Sequence, residues 1–333
     1  MFAGQMLGTL SVIPLSRMES PLDRHRDDLR QKLGRSSPLR TVVDQAVLAA
    51  ENSCNLVIQG EAGTGKTYLA GLIHGNRGRG RSPFSIVNCA GHSVQQLEAE
   101  LFGRRGKEPG KLSVAAGGTI LLRQVEDAPL GLQDKVAGMI HERRLFRKGE
   151  SAAQPLEVRL MATVRGDAAT AHREGRLSEA LYYQLTEQVI ALPSLHDLPK
   201  EIPRLAAHFL HEAADDLQRA ESRLTDDAVA VAVGYSWPGN IRQLKNVMRR
   251  AAIYHVGQIG RDLLESLLPA PVVAEAKRSR PPSLRLEEVE QWAIGEALLR
   301  TGGRKMQAAE LLGMEYQRFR RKLSKYGKHE VAS

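Results

Sequence analysis

Short apolar runs alternate with amphipathic segments over the first part of the chain. The runs are too short for helices and too continuous for half-exposed strands, which is typical of buried strands in a parallel sheet. In chain order these runs are NLVIQ, FSIVNC, TILL, EVRLMATV and QVIAL. A helix is expected from Ser37, because the apolar residues between Val42 and Val47 share one face. The alternation predicts an α/β domain with a mainly parallel sheet over residues 36–195.

The rest of the chain has helical spacing and one interruption. Thr225 precedes a helix with acidic residues in its first turn, and Pro238 precedes another helix. The stretch PAPVVAEAKRSRPPS is rich in Pro and charge, which is typical of a linker. The predicted segments are an N-terminal tail 1–35, the α/β domain 36–195, a helical subdomain 196–270, a linker 271–283, a last helical unit 284–328 and a tail 329–333.

Composition and charge narrow the class of protein. The 333 residues carry a formal net charge of +9, an excess that favours a polyanionic partner such as nucleic acid. The two cysteines, Cys54 and Cys89, have no metal-type spacing, so neither a disulfide scaffold nor a zinc site is expected. No apolar run reaches membrane-spanning length and no signal peptide is recognisable, so a cytoplasmic protein without a membrane partner is predicted.

The segment GEAGTGKT matches the phosphate-loop pattern G-x-x-x-x-G-K-[ST] between a predicted strand and a predicted helix. The glycines let backbone N–H groups turn toward phosphates, and Lys66 can reach the β and γ phosphates while Thr67 can hold magnesium. We predict a site for ATP or ADP, with magnesium as an open option. Its predicted contacts are Gly60, Glu61, Ala62, Gly63, Thr64, Gly65, Lys66 and Thr67.

The stretch GRKMQAAELLGMEYQRFRRKLSKYG near the C-terminus has helix-turn-helix spacing. Ala309 is small enough for a close helix crossing, and Gly313 suits the turn four residues later. In the second helix Tyr316, Phe319 and Leu323 share one face and are expected to pack inward, which leaves a basic face for DNA. The predicted DNA contacts are Arg304, Lys305, Gln317, Arg318, Arg321, Lys322 and Lys325.

Longer motifs occur in one order along the chain. They are GEAGTGKTYLAGLIH, SPFSIVNCA, LEAELFG, GGTILL, EALYYQL, LPSLHDLPKEIPRLAAHFL, WPGNIRQLKNV and LEEVEQWAIGEALLRTGGRKMQAAELLGMEYQRFRRKLSKYG. They resemble the AAA+ domain and the Fis-type helix-turn-helix of the bacterial enhancer-binding proteins, the sigma-54-dependent transcription activators. The resemblance implies a P-loop AAA+ fold, an α-helical lid whose Arg242 contacts nucleotide, and double-stranded DNA as a partner. Family members often carry an N-terminal receiver or sensor domain, which is not expected within residues 1–35.

The chain departs from the family pattern where hydrolysis is carried out. The family's strand after GGT ends in Asp-Glu, which hold magnesium and activate water, and the matching residues here are Arg123 and Gln124. The family's two arginine fingers, which stabilise the transferred phosphoryl group, are matched by Ser178 and Gln184. Arg165 falls near the family's polar sensor residue. No catalytic residue is therefore predicted, and the charge at position 123 raises the hypothesis of metal-independent nucleotide binding.

The sigma-contacting hexapeptide GAFTGA is also absent, since ELFG is followed by RRGKEPGKLSVAAGGT. We predict a DNA-binding transcriptional regulator whose degenerate AAA+ domain binds ATP or ADP, hydrolyses it poorly and does not engage sigma-54 in the usual way. Two alternatives stay open: an active sigma-54-dependent activator ATPase, and an inhibitory or partner subunit of an active paralogue. RNA polymerase or a related activator is a further predicted partner, and assembly into a homo-oligomer, as a dimer or a ring, is expected.

Overall fold

The computed structural model describes residues 37–75, 82–103, 109–145, 154–269, 285–301 and 305–326. The chain divides into two compact units between Leu268 and Pro269. Each unit has its own buried core and is described by itself. The predicted tails and the predicted linker lie outside the described residues, as does Arg304.

A parallel sheet forms the centre of the first unit. The strands are β1 Leu56–Gly60, β2 Phe84–Asn88, β3 Thr119–Arg123, β4 Arg144–Leu145, β5 Gln154–Pro155, β6 Arg159–Arg165, β7 Val189–Ala191, β8 Arg223–Leu224 and β9 Gln258–Ile259. The main sheet has the order β2-β3-β6-β1-β7, and all its pairings are parallel. The central strands are buried on both faces, which explains their continuous apolar sequences. The predicted α/β class with a mainly parallel sheet is confirmed.

Helices follow most strands and continue beyond the sheet. Those of the first unit are α1 Ser37–Glu51, α2 Lys66–Gly75, α3 Val94–Phe102, α4 Lys111–Val114, α5 Leu130–Glu142, α6 Ala168–Arg173, α7 Glu179–Leu185, α8 Ile202–Leu217, α9 Asp226–Gly234, α10 Asn240–Tyr254 and α11 Arg261–Leu267. The predicted helix start at Thr225 is confirmed, because its side chain accepts a hydrogen bond from the Ala228 N–H and caps α9. None of the helices in the described ranges is long and apolar enough to span a bilayer.

Helices cover the main sheet with two apolar clusters. One cluster brings Val43 of α1 with Leu69 and Ile73 of α2 against the strands. The other brings Val136 of α5 and Leu181 of α7. Burying each such side chain stabilises the fold by about 1.5–3 kcal/mol, so these clusters hold the strand ends in fixed positions.

Residues 196–268, the part of the predicted helical subdomain that belongs to the first unit, are here called the lid and form a separate helical core. Helices α8 and α10 pack together, and Trp237 is buried between the lid helices. The indole N–H of Trp237 donates to the carbonyl oxygen of Ala232 at 2.7 Å, so the ring is buried without an unsatisfied donor. The lid therefore has a well-packed core that can fix the position of the start of α10.

The second unit contains α12 Leu286–Arg300, α13 Lys305–Leu311 and α14 Tyr316–Tyr326. Phe319 is fully buried beside Ala309, as predicted, and Gly313 has a φ of 60° that suits the turn between α13 and α14. Tyr316 is 39% exposed, so the prediction that it packs inward is wrong. Leu312 and Met314, from the turn, pack against the core near the start of α14 instead.

Candidate functional site

The glycine-rich loop joins β1 to α2 at the carboxyl edge of the sheet. Gly63 has a φ of 83°, and a Cβ at this position would lie 2.2 Å from the carbonyl oxygen of Gly239 in the lid. Only glycine permits both the backbone conformation and this close approach. The loop therefore has the form that presents backbone N–H groups to phosphate at the start of a helix.

Lys66 begins α2, and its side chain turns back over the loop. Its Nζ donates to the carbonyl oxygens of Gly60 and Glu61, both at 2.6 Å. Burial is the main cause that lowers the pKa of Lys66 to about 8, while the carboxylate of Glu126 is the strongest charge that opposes this shift. The Lys66 ammonium is bonded to two neutral carbonyl oxygens, so its positive charge can attract an anion such as phosphate.

The lid contacts the phosphate loop directly through the start of α10. Asn240 has a φ of 52°. Its Nδ2 donates to Glu61 Oε2 and to the carbonyl oxygen of Ala62, both at 3.0 Å. The backbone N–H of Arg242 donates to the carbonyl oxygen of Gly63 at 3.3 Å. These bonds place Arg242 beside the loop, where its charge also contributes to the lowered pKa of Lys66 after burial.

A cavity of about 620 Å³ opens beside the loop, between the sheet and the lid. Its walls are mainly apolar, and its polar side chains come from Thr64 of the loop and from lid residues such as Glu201 and Arg204, a lining that suits the base and sugar of a nucleotide. The apolar walls include Leu39, Tyr68, Leu192, Leu205 and Ile241. Sequence reasoning missed these residues because an apolar position within a helix or strand indicates only core packing. The one usable signal was Tyr68, an aromatic residue directly after the GKT motif.

The strand-end residues Arg123 and Gln124 lie at the same edge of the sheet. Arg123 is beside Asn88 of β2 and Thr163 of β6 in the strand register. Gln124 has a φ of 54°; its backbone N–H donates to Thr163 Oγ1 at 3.0 Å, and its Nε2 donates to Asp127 Oδ2 at 3.2 Å. The end of β3 therefore offers a cation and an amide where magnesium binding and water activation require carboxylates.

Arg165, at the predicted sensor position, is hydrogen-bonded to the carboxylates of Asp127 and Glu126. Its Nη2 donates to both carboxylate oxygens of Asp127, at 2.8 and 2.7 Å. Its backbone N–H donates to Glu126 Oε1 at 2.8 Å. The guanidinium is half-exposed and already neutralised, so little of its charge is left for a nucleotide.

Both positions that match arginine fingers make internal bonds. Ser178 caps α7 by accepting from the Leu181 N–H at 3.4 Å, and its own N–H donates to Gln133 Oε1 at 2.8 Å. Gln184 Nε2 donates to the carbonyl oxygen of Ala137 at 2.9 Å. These side chains fix α7 against α5 and carry no charge that could act on a phosphoryl group.

In the second unit, α14 presents a basic surface. Gln317, Arg318 and Arg321 are exposed on this helix, and Lys305 is exposed at the start of α13. Exposed arginine and amide side chains can form paired hydrogen bonds with base edges. This surface therefore has the chemistry of a DNA interface, and the remaining predicted contact, Arg304, is outside the described residues.

Two lysines of the predicted DNA interface are paired within the unit. Lys322 Nζ donates to both carboxylate oxygens of Glu290 at 2.5 Å, and Lys325 Nζ donates to Glu287 Oε1 at 3.0 Å. Both acids belong to α12. The pairs position α14 against α12, so these lysines must exchange a carboxylate for a phosphate to contact DNA.

Three family models match the chain in succession. A sigma-54 interaction domain matches residues 33–191, an AAA+ ATPase lid domain matches residues 197–283, and the bacterial regulatory protein model of the Fis family matches residues 285–326. The matches cover both the loop-and-sheet region and the helix-turn-helix.

The chain is similar to known regulators and to solved structures. It is 34% identical over 302 residues to the transcriptional regulatory protein ZraR of Klebsiella oxytoca, covering 88% of this chain and 68% of that protein. The crystal structure of NtrX from Brucella abortus in complex with ADP matches with a TM-score of 0.66 at 28% identity, covering 92% of this chain and 72% of that one. NtrX in complex with ATP also matches with a TM-score of 0.66 at 28% identity, covering 88% and 69%.

Proposed function

Since the chain belongs to the sigma-54-dependent transcriptional regulators with a Fis-type helix-turn-helix, we propose that its AAA+ domain binds ATP or ADP as a regulatory ligand and hydrolyses it poorly. The observation that carries this proposal is the contrast between the phosphate loop and the positions that match the family's hydrolytic groups. The phosphate loop keeps its binding geometry, while the finger positions Ser178 and Gln184 are bonded internally. Arg123 and Gln124 complete the loss of hydrolytic groups.

We assign the nucleotide to the phosphate loop and the adjoining cavity. Lys66 and Arg242 supply charge to the phosphates, and the loop from Gly60 to Thr67 supplies backbone donors. Thr67 is the loop residue assigned to a magnesium ion, which neutralises phosphate charge when it accompanies a nucleotide. The complexes of NtrX with ADP and with ATP support this assignment.

The domain boundaries remain part of the proposal. We assign residues 36–195 to the AAA+ α/β domain, 196–270 to the lid, 271–283 to a linker and 284–328 to the DNA-binding domain. The family matches support the starts of the three domains, at residues 33, 197 and 285, whereas the lid match extends to residue 283 across the proposed linker. Residues 1–35 and 329–333 are assigned as tails.

We assign double-stranded DNA to the exposed face of α14, with Gln317, Arg318 and Arg321 as the base-reading residues. RNA polymerase or a related activator is the proposed protein partner, reached without the GAFTGA loop, and the chain is proposed to act as a dimer or ring. The neutral and internally bonded finger positions argue against a ring in which each subunit completes its neighbour's hydrolytic site.

A promoter footprint tests the DNA assignment. Replacing Arg321 by Ala should cost about 1–3 kcal/mol of specific binding and relax discrimination at one position. Ser324, exposed on the same helix, provides the matched control as Ser324→Ala, which should leave the footprint unchanged. A footprint of unaltered position and strength in Arg321→Ala would refute the base-reading role.

The active activator ATPase stays the second candidate, because the intact loop geometry also suits hydrolysis. It requires that the groups lost at position 124 and at the finger positions be supplied from elsewhere. ATP turnover separates it from the leading proposal.

A further inference from the structure

Two buried oxygen atoms at the carboxyl edge of the sheet lack a hydrogen-bond donor. They are Glu126 Oε2 and Asn88 Oδ1, each without accessible surface and without a donor in the described part of the chain. Leaving such an oxygen unsatisfied costs about 1–3 kcal/mol, and more when the group is charged. An unpaired buried acceptor in a native fold requires an explanation, and a bound ion is one such explanation.

The fold fixes the direction of the Glu126 carboxylate. Strand β3 ends at Arg123, Gln124 takes a left-handed conformation, and Val125–Asp127 form one turn of 3₁₀ helix. The Glu126 side chain has no exposed surface, and its Oε1 accepts from the backbone N–H of Arg165 at 2.8 Å. The carboxylate is therefore anchored by one oxygen, and the other cannot rotate out to solvent.

The strand register places Glu126 near both the phosphate loop and the end of β2. Arg165, whose backbone N–H donates to Glu126 Oε1, is in register with Gly60, the first residue of the phosphate loop. On the other side, Asn88 at the end of β2 is in register with Arg123, three residues before Glu126. The Nε of Arg165 also lies 3.4 Å from Glu126 Oε1, so this oxygen is ion-paired, while Oε2 has no hydrogen-bond partner among the described residues.

The oxygen groups at this edge fit a hard divalent cation. A carboxylate oxygen of Glu126, the amide oxygen of Asn88 and the hydroxyl of Thr67 are the ligand types that Mg²⁺ takes, together with phosphates and waters. No group of three His, Cys, Asp or Glu side chains in the described ranges could hold a metal alone. A cation here therefore depends on the phosphates of a bound nucleotide, whereas the position of Arg123 does not fit a metal ligand.

We propose that Glu126 supplies the carboxylate that this chain presents, directly or through water, to the divalent cation of a bound nucleotide, in place of the strand-end acid absent at Arg123. The inference rests on the proposed function, because it needs a nucleotide at the phosphate loop. It separates metal binding from hydrolysis: Glu126 holds charge near the phosphates but is fully occupied at Oε1, and Gln124 cannot accept a proton from water. This proposal is an alternative to the hypothesis that the charge of Arg123 allows nucleotide to bind without a metal.

Equilibrium binding of a fluorescent ADP to the full chain, in Mg²⁺ and in EDTA, tests the proposal. We expect the wild type to bind about tenfold more tightly in Mg²⁺, a difference of about 1.4 kcal/mol. Glu126→Gln keeps the shape and removes the charge, so the difference should fall below about twofold, with affinity in EDTA unchanged or improved. Asp134→Asn, which alters an exposed carboxylate of α5, should keep the tenfold difference.

A second measurement and a second variant keep the proposal testable if Glu126→Gln does not fold. The electron paramagnetic resonance signal of Mn²⁺ bound with ADP should appear in the wild type and be lost in Glu126→Gln. Arg123→Ala removes a cation that repels the metal, so it should enlarge the Mg²⁺ effect. If Arg123 replaces the metal, the same variant should lose affinity in EDTA instead.

The outcomes are distinguishable. Equal affinity in Mg²⁺ and EDTA for the wild type would overturn the role of Glu126 while leaving nucleotide binding intact. A Glu126→Gln variant that keeps the Mg²⁺ effect and the Mn²⁺ signal would also overturn it. No nucleotide binding by the folded wild type in either buffer would contradict both this inference and the proposed function.

Discussion

The phosphate loop and the positions that match arginine fingers differ in where they lie and in how their polar groups are used. The loop joins β1 to α2 at the carboxyl edge of the sheet, whereas Ser178 caps α7 and Gln184 lies within that helix. In the loop, Lys66 Nζ donates to two backbone carbonyl oxygens, and Gly63 has a positive φ and lies against Gly239. At the finger positions, Ser178 and Gln184 are bonded within the fold. The groups proposed to bind nucleotide and the positions that match arginine fingers therefore lie on different segments of the fold, so a substitution can alter one region without altering the other.

The difference between the two regions predicts that substitutions in one change nucleotide affinity and substitutions in the other change stability. Changes at the loop lysine should alter nucleotide affinity more than stability, because its ammonium is bonded to backbone carbonyl oxygens of the loop and carries the charge proposed to contact phosphate. Changes at the finger positions should alter stability with little effect on affinity, because the groups there hold α7 against α5. Four predictions follow this division, from the largest effect to the smallest.

Removing the loop ammonium should have the largest effect on binding. Lys66→Ala deletes the charge nearest the phosphates, and we expect about 100-fold weaker binding of ATP and ADP, or about 2.7 kcal/mol. Titration with a fluorescent nucleotide measures this loss. Lys200→Ala, at an exposed lysine of the same unit, is the control and should bind like the wild type. Equal losses in both variants would remove the special role of the loop lysine.

Nucleotide affinity should fall as the pH rises through about 8. Lys66 has a pKa lowered from 10.5 to about 8, chiefly by burial. An anion favours the protonated form, so binding takes up a proton above that pKa and becomes weaker as pH rises. One linked proton gives about a tenfold loss of affinity between about pH 7 and pH 9. The loss should disappear in Lys66→Ala, and an identical pH profile in that variant would assign it to another group.

Removing Arg242 from the lid should weaken nucleotide binding less than removing Lys66. Arg242→Ala removes one charged contact beside the loop, and we expect about fivefold weaker nucleotide binding, near 1 kcal/mol. Arg249, on the same helix, pairs with Asp216 at 3.3 Å and is the matched control as Arg249→Ala. Calorimetric titration of both variants measures the difference. Equal affinities would show that the lid does not contact the nucleotide through Arg242.

Substitution of Ser178, at a position that matches an arginine finger, should lower stability and leave nucleotide affinity unchanged. Ser178→Ala removes the cap of α7 and should destabilise the protein by about 1 kcal/mol, lowering the thermal midpoint by about 2–4 °C. Nucleotide affinity should stay unchanged. Ser266→Ala, at an exposed serine, should change stability by less than about 0.5 kcal/mol. A loss of affinity without a loss of stability in Ser178→Ala would contradict the division between the two regions.

Local sequence signals predicted much of this structure. All five strands of the main sheet were recognisable as short apolar runs. The central strands are buried on both faces, as in residues 119–122 of β3, whereas the edge strands β2 and β7 are only partly buried. The phosphate loop was recognisable because its glycines, Lys66 and Thr67 are adjacent in sequence. The turn before α14 was marked by Gly313.

Features that depend on distant segments were not predictable. The cavity walls combine Leu39, Leu192 and Ile241, which are far apart in sequence and individually ordinary. The inward direction of Glu126 depends on the left-handed conformation of Gln124, which no sequence pattern signals. The exposure of Tyr316 followed from competition for the same core by the turn residues, which spacing within one helix does not reveal.

Steady-state release of phosphate from ATP by the full chain, with and without DNA, tests the central claim most directly. Lys66→Ala, measured under the same conditions, supplies the background. We predict turnover at the level of this variant, because Arg123 and Gln124 provide no acid or base and the finger positions are neutral. Turnover well above the background that is abolished in Lys66→Ala would contradict the claim and make an ATP-driven activator the better description.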